Sequence, residues 1–404
     1  MSKQAPWLSI IGIGDSGLDS LTPVARSALD SAEIIFGGKR HLKFLGDDSR
    51  NRQNWSSPFS DSIERVQAFR GQSVAILATG DPLWYGAGSA LLKAIPSEET
   101  QVYPSSSAYS LAAARMGWAI ENTVCLTVHG RKLENIIPSI TPNAQLFILC
   151  HNGNTPTEVA CLLNGRGFGD SEITTLSHLD GNDEAICKNT ARKWQAYDLP
   201  NLTTLAVHCI AGSDAIILPT TPGLPDNVFE HDGKLTKREI RAATLAALSP
   251  LPGQHLWDVG AGCGSIALEW CRAAHQATAS AVETHTDRLN SIRTNAMALG
   301  VPNLEIIDGH APDTLKSLAK PDAIFIGGGL STDGIVETCW GALSRHGRLV
   351  ANAVTIEGET RLVQAQASYG GELVRFAISR AEPVGSFQGW RPMMPVTQWR
   401  IIKP

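Results

Sequence analysis

The sequence predicts two α/β units in tandem: a first half built of two α/β subdomains, and a doubly wound α/β domain after it. Three observations carry this reading. Short apolar runs that end at glycines or polar loops alternate with helix-period stretches from residue 8 to about residue 210. A second alternation of the same kind opens near residue 254. Between the two, Pro219, Pro222, Gly223, Pro225 and Asp232-Gly233 break all periodicity. The expected boundaries are therefore 1–211, a linker at 212–234, and 235–404.

Each element has a local reason. Residues 8–13 are continuously apolar and stop at glycine, as a strand buried on both faces does. Thr22 then Pro23 open a helix, because threonine caps and proline fits the first turn. Residues 34–36, 74–78, 101–103 and 124–128 read as strands, and residues 105–115 as a serine-capped helix. Strands are expected again at 145–150, 172–176 and 204–210, with a helix at 157–164. In the second half, helices are expected at 237–248, 265–274, 288–299 and 336–343. Strands are expected at 254–258, 277–283, 304–307, 323–326 and 348–353. The segments 360–368 and 373–379 complete a doubly wound pattern with a strand-rich end.

Composition narrows the function. Hydrophobic residues make up 43% and charged residues 18%, so the chain can fill large cores. The net charge of -5 lacks the basic footprint of a nucleic-acid binder, so no nucleic-acid partner is expected. No apolar stretch reaches membrane-spanning length, and the first apolar run breaks too early for a signal peptide. None of the eight cysteines forms a CxxC pair or a Cys/His group with zinc spacing. A reducing cytoplasm, no disulfides and no metal are expected.

The most informative stretch is Leu256-Trp257-Asp258-Val259-Gly260-Ala261-Gly262-Cys263-Gly264-Ser265. Glycines alternate between a strand and a helix, which lets backbone approach a bulky ligand closely. Asp258 would face an ammonium group or order the loop. Glu283 ends the next strand, where a carboxylate can accept from ribose hydroxyls. Asp308-Gly309-His310-Ala311-Pro312 follows the third strand and would lie over an adenine. Three such features at successive strand ends mark the ligand crevice of an open sheet.

This string resembles motif I of the class I S-adenosylmethionine methyltransferases, whose domain is Rossmann-like. With Leu235-Thr236-Lys237-Arg238-Glu239-Ile240-Arg241 and the run from Pro321 to Gly329, it is similar to the decarboxylating precorrin methyltransferase module of cobalamin biosynthesis. The resemblance implies that Thr236, Gly260, Ala261, Gly262, Cys263, Gly264, Glu283, Gly309 and Ala311 contact the cofactor, with Asp258 beside them. It also implies that this module methylates C-15 of the macrocycle and decarboxylates a neighbouring acetate.

In the first half, Gly12-Ile13-Gly14-Asp15-Ser16-Gly17 matches a dinucleotide fingerprint, with Glu33 further on. Two details argue against nucleotide binding. Glu33 precedes the second strand instead of ending it, and no helix follows the turn at once. Thr79-Gly80-Asp81-Pro82, Pro104-Ser105-Ser106-Ser107 and Val128-His129-Gly130-Arg131 follow later strands. Taken in order, these stretches resemble the tetrapyrrole (corrin/porphyrin) methylases, with Ser16 where that family usually has proline. The resemblance implies a cofactor folded between two subdomains. It places Asp81, Ser106 and Ser107 in the cofactor cleft and the turn with Gly14 against the tetrapyrrole. It also suggests that subunits associate into a homo-oligomer.

Together the halves imply an enzyme that uses two S-adenosylmethionine molecules on a reduced, polycarboxylate precorrin. Methylation at C-5 and C-15 and loss of the ring C acetate carboxyl would give precorrin-8. Such a substrate calls for fixed cations. Arg131, Lys132, Lys237, Arg238 and Arg241 are candidates, with Lys39 and Arg40 a further pair. His310, His129 and Asp81 are the candidate catalytic groups, the histidines because they can move a proton near neutrality. The alternative is a class I methyltransferase of RNA or another small molecule, with an accessory N-terminal domain.

Overall fold

The computed structural model describes residues 6–196 and 198–404. The chain divides into two compact units. One comprises Met1–Leu133 and Ser139–Ile216; the other comprises Glu134–Pro138 and Ile217–Pro404.

The first unit contains two five-stranded sheets. In one, β1 (Leu8–Ile13), β2 (Ile34–Gly37), β3 (Asn51–Asn54), β4 (Val74–Thr79) and β5 (Thr100–Tyr103) lie in the order β3-β2-β4-β1-β5, all parallel. Leu8, Ile10, Phe36 and Ile76 fill the core on one face, and Ile11, Ile13, Ile35 and Leu77 the core on the other. Burial on both faces is why these strands read as unbroken apolar runs. In the second sheet, β6 (Thr123–Thr127), β7 (Gln145–Leu149), β8 (Glu172–Ser177), β9 (Ala185–Thr190) and β10 (Thr203–His208) lie in the order β6-β7-β10-β8-β9, mostly antiparallel. Helix Pro23–Asp30 starts as expected, with Thr22 Oγ1 accepting from Ala25 N at 3.3 Å.

The second unit holds a seven-stranded sheet. Its strands are β11 (His255–Val259), β12 (Thr278–Glu283), β13 (Glu305–Asp308), β14 (Ala323–Ile326), β15 (Arg348–Ala353), β16 (Glu372–Phe376) and β19 (Val396–Ile402). The order is β13-β12-β11-β14-β15-β19-β16, and only β19 runs antiparallel to its neighbours. Strands β17 (Ser379–Val384) and β18 (Phe387–Pro392) form a separate hairpin. The chain crosses from one side of β11 to the other between β13 and β14. That reversal opens a crevice at the carboxyl ends of β11 and β14.

Leu218, Leu224 and Phe229, from the stretch expected to be linker, are buried in the core of this second unit. Proline and glycine there mark irregular backbone; they do not mark exposure. Among the described residues, no helix is long and apolar enough to cross a membrane.

Candidate functional site

A cavity of about 860 Å³ opens at the crevice of the second unit. Its floor is the turn after β11. Gly260, Gly262 and Gly264 have φ of 72°, 59° and 79°, a region closed to most side chains. A Cβ on Gly260 would stand 2.6 Å from Gly328 Cα, in the glycine-rich turn after β14. The two strand-end turns therefore touch through bare backbone.

Glu283 closes one side of the cavity. Its Oε2 accepts from Gly262 N at 2.9 Å, and its Oε1 accepts from Thr284 N at 2.8 Å and His285 N at 3.1 Å. These bonds fix the carboxylate while leaving it on the cavity wall. Arg288 stands 3.9 Å from it and is tied to Asp232 at 2.8 Å. Gly309, His310 and Ala311 line the cavity next to it, with Gly309 N donating to Glu283 O at 3.2 Å, and Thr236 and Lys237 line it as well.

Asp258 lies beneath the turn, outside the cavity wall. Its Oδ2 accepts from Ala267 N at 3.0 Å, in the first turn of helix Ser265–Ala273, and its Oδ1 has no partner among the described residues. Burial pushes this carboxyl up to about 7. Cys263 lines the cavity as a thiol, pushed up to about 11 by burial.

In the first unit, the loops at the carboxyl ends of β1, β4 and β5 converge. A Cβ on Gly12 would lie 2.1 Å from Gly80 O and 2.7 Å from Ser105 N, so only glycine fits there. Asp81 shapes its loop by accepting from Leu83 N at 2.9 Å. Ser107 caps helix Ala108–Met116 by accepting from Ser110 N at 3.0 Å, while Ser106 is exposed. The turn after β1 does not feed a helix directly. Gly14 and Gly17 pair with each other, and helix Pro23–Asp30 begins later.

Beside this lies an aromatic group. Trp84 and Tyr85 stand 4.9 Å and 6.3 Å from Tyr109, and the Arg131 guanidinium covers the Tyr85 ring at 4.8 Å. His129 is exposed, with its ring 5.5 Å from that of His151.

Comparison with known proteins gives these sites a family. Residues 8–192 match the model of the tetrapyrrole (corrin/porphyrin) methylases, and residues 227–403 match that of the precorrin methyltransferase domain. A Sinorhizobium sp protein called precorrin-6Y C(5,15)-methyltransferase [decarboxylating] is 42% identical over 99% of this chain and 97% of its own length. The chain belongs to the precorrin-6Y C(5,15)-methyltransferase family.

A family relative from Mycobacterium tuberculosis is 39% identical over 98% of this chain and 99% of its own. Among solved structures, the C-terminal domain of the Rhodobacter capsulatus family member is 42% identical. It covers 46% of this chain and all of its own, with a TM-score of 0.44.

Within this family frame, the structure sorts the candidate residues. It brings Thr236, Lys237, Gly260, Ala261, Gly262, Cys263, Glu283, Gly309, His310 and Ala311 to one cavity. It leaves Asp258 and Gly264 behind the turn: Asp258 bonds to the helix start, and Gly264 faces Ile292. Arg238 is exposed and lies outside the cavity wall.

Arg241 corrects an expectation. It is wholly buried and cannot reach a substrate. Its guanidinium donates to Glu269 at 2.6 Å and to Thr236 O at 2.5 Å, donates also to Leu224 O, and lies 4.7 Å from the Phe229 ring centre. It anchors the strap of residues 224–236 to helix Ser265–Ala273. A charge in that position is structural, because stripping a buried pair of one partner costs about 3–5 kcal/mol.

Lys234, Arg288, Met393 and Met394 also line the cavity and went unread in the sequence. A signal existed for Arg288, a basic residue in the first turn of the helix that follows Glu283. Nothing in the local sequence singles out the methionines.

Proposed function

We propose that this chain methylates a reduced precorrin at C-5 and C-15 and removes the ring C acetate carboxyl as CO2, giving precorrin-8 in cobalamin biosynthesis. Each half would hold its own S-adenosylmethionine, and the second half would carry out the C-15 methylation and the decarboxylation. The observation that carries the reading is the C-terminal cavity, with its glycine floor and its backbone-fixed Glu283 at the sheet's switch point. The fit is chemical. A ribose needs an acceptor such as Glu283, and a bulky sulfonium nucleoside needs wall made of bare backbone.

The cofactor, when bound, supplies a methyl group on positively charged sulfur. The protein's task is mainly orientation, which can lower such a barrier by about 7–11 kcal/mol. Gly260 and Gly262 let the chain close on the nucleoside. Lys234, Lys237 and Arg288 offer cations at the cavity wall for the acids of the macrocycle. His310, exposed and lining the same cavity, is placed to handle a proton as the carboxyl leaves. In the first half, Asp81, Ser106 and Ser107 border the second proposed cofactor cleft, with Gly14 and Arg131 toward the macrocycle. His129 is a further candidate for moving a proton there.

Subunit association is part of this reading. Phe387 and Trp390 on the β17–β18 hairpin are each 78% exposed, an apolar surface that a second copy would cover. Light scattering should find an oligomer, and Trp390→Asp should shift it toward monomer. The net charge argues against a nucleic-acid partner. The free cysteines fit a reducing, cytoplasmic setting.

The experiment is mass spectrometry of product formed from the precorrin and methyl-labelled S-adenosylmethionine. Two labelled methyls gained and one CO2 lost is the expected result. Asp81→Ala and Glu283→Ala should each suppress a different methyl. Loss of both methyls from either single change would end the two-site reading.

A further inference from the structure

A cluster of ionisable groups in the first unit ties Arg40, a candidate cation for the macrocycle, to Asp15 instead. Asp15 follows β1, Arg40 follows β2, and Thr79 ends β4, so all three sit at the carboxyl edge of the parallel sheet, where open α/β sheets take their ligands. One Asp15 oxygen pairs with the Arg40 guanidinium, and Arg40 also donates to Thr79 Oγ1 at 3.1 Å. The other Asp15 oxygen lies 2.7 Å from Nδ1 of His178, which comes from the loop between β8 and β9 of the second sheet. His41, behind the cluster, stays neutral because burial and then Arg40 push its imidazole down to about 4.

The loop that carries His178 is built for this contact. His178 and Asp180 have φ of 50° and 63°, conformations that L side chains seldom adopt. A Cβ on Gly181 would lie 2.5 Å from Asp15 Oδ2, so a side chain there would push the carboxylate away from His178. Glu184 anchors the far end: it is clasped by Arg115 at 2.5 Å and 2.8 Å, and it accepts from Asp180 N at 2.7 Å. Held strain of this kind marks functional positions.

The tautomer follows from the chemistry of the partners. A carboxylate paired with arginine can only accept, so Nδ1 of His178 carries a hydrogen, and in the neutral ring Nε2 then holds the lone pair. Nε2 has no protein partner among the described residues, and the side chain is 27% exposed. A carboxylate that orients an imidazole, with the far nitrogen open, is the arrangement of a general base.

We propose that His178, oriented by Asp15, is the base that takes the proton from C-5 after methyl transfer in the N-terminal half. The proposal rests on the two-site function given above. C-5 bridges two rings and bears hydrogen. Its π electrons form the new carbon–carbon bond to the methyl, and the carbon–sulfur pair departs on sulfur, leaving a thioether and a ring cation. His178 Nε2 then accepts the proton, and the C–H pair restores the ring double bond. Arg40 holds Asp15 in place as a positioning residue.

The test uses the full chain in single turnover, with labelled methyl donor and mass spectrometry locating each methyl. His178→Ala should slow C-5 methylation about 10²–10⁴-fold, the range for a lost general base. C-15 methylation and CO2 loss should keep their wild-type rates. Added imidazole should restore part of the C-5 rate, and calorimetry should show unchanged S-adenosylmethionine binding. Asp15→Asn should lower the C-5 rate without rescue by imidazole. Wild-type C-5 rates in His178→Ala would overturn the assignment. So would a loss that imidazole does not relieve and that falls in step with cofactor affinity, since that pattern means a purely structural link. A wild-type chain that adds no methyl at C-5 takes down the functional reading itself, and the assignment with it; that control separates the two failures.

Discussion

The turn after β1 and the turn after β11 look alike on paper: each follows a buried strand and alternates glycines. In space they solve different problems. After β11, Gly260, Gly262 and Gly264 all take positive φ, and a helix starts at once. After β1, only Gly17 does so, and Gly12 is glycine because a neighbouring loop lies against it. The first kind of turn lines a cavity with bare backbone. The second makes a junction between loops and presents a charged residue, Asp15. Glycine spacing alone therefore cannot name a ligand; what each glycine makes room for can.

The comparison can be broken most sharply at its two tightest points. Gly260→Ala adds a Cβ 2.6 Å from backbone at a φ of 72°. Gly12→Ala adds one 2.1 Å from a carbonyl oxygen. Each should cost about 3 kcal/mol or more, in the range for overpacking combined with backbone strain. Denaturant unfolding should show the loss. Titration with S-adenosylmethionine should show that Gly260→Ala weakens binding to the C-terminal site. An unchanged unfolding midpoint in either variant would mean the loops are not locked together as described.

The acid beneath the second turn gives the next effect. Asp258 has its folded-state value raised to about 7 from an ordinary 3.8. Between those values the folded state holds a proton that the unfolded state has released. Its contribution is complete below about pH 4 and is lost as pH rises toward 7, by up to about 4 kcal/mol at 1.36 kcal/mol per unit. Asp258→Asn should flatten that decline, so wild type loses ground to the variant between pH 4 and pH 8. A difference curve level across that window would show the carboxylate to be solvated.

Capping separates the two turns more gently. Helix Pro23–Asp30 is capped by the Thr22 side chain, whereas helix Ser265–Ala273 has Gly264 at its cap and relies on Asp258 instead. Thr22→Ala should cost about 1 kcal/mol, read as a small shift in melting. Gly14→Ala should cost less still. Its new Cβ meets only side-chain atoms, of Ser20 at 3.1 Å and Ser16 at 3.7 Å, and its φ lies outside the left-handed region. A larger loss at Gly14 than at Thr22 would show that the first turn is packed more tightly than its contacts indicate.

How much could be read beforehand follows the same physics. Strands buried on both faces, such as β1, β4, β11 and β14, announce themselves as apolar runs. β3, with sequence Asn51-Arg52-Gln53-Asn54, and β9 lie at sheet edges and are largely exposed, so no hydrophobic pattern marks them. The glycine turn, Glu283 and Gly309 were legible because open sheets place ligands at strand ends. Arg241 misled because its true partner, Glu269, sits on another helix. Met393 and Met394 arrive at the cavity from beyond the hairpin, a convergence that only the folded chain reveals.

The strand order of the second sheet also has a kinetic meaning. β19 lies between β15 and β16, and Trp399 on it is fully buried, donating to Gly370 O at 2.9 Å. A nascent chain can assemble its first unit while translation continues, yet this sheet stays split until residue 402 has left the ribosome. Until then β15 and β16 each present a bare hydrogen-bonding edge. Translation arrest before residue 396 should therefore leave a species with a finished N-terminal unit and a sticky, incomplete C-terminal one, a natural client for chaperones.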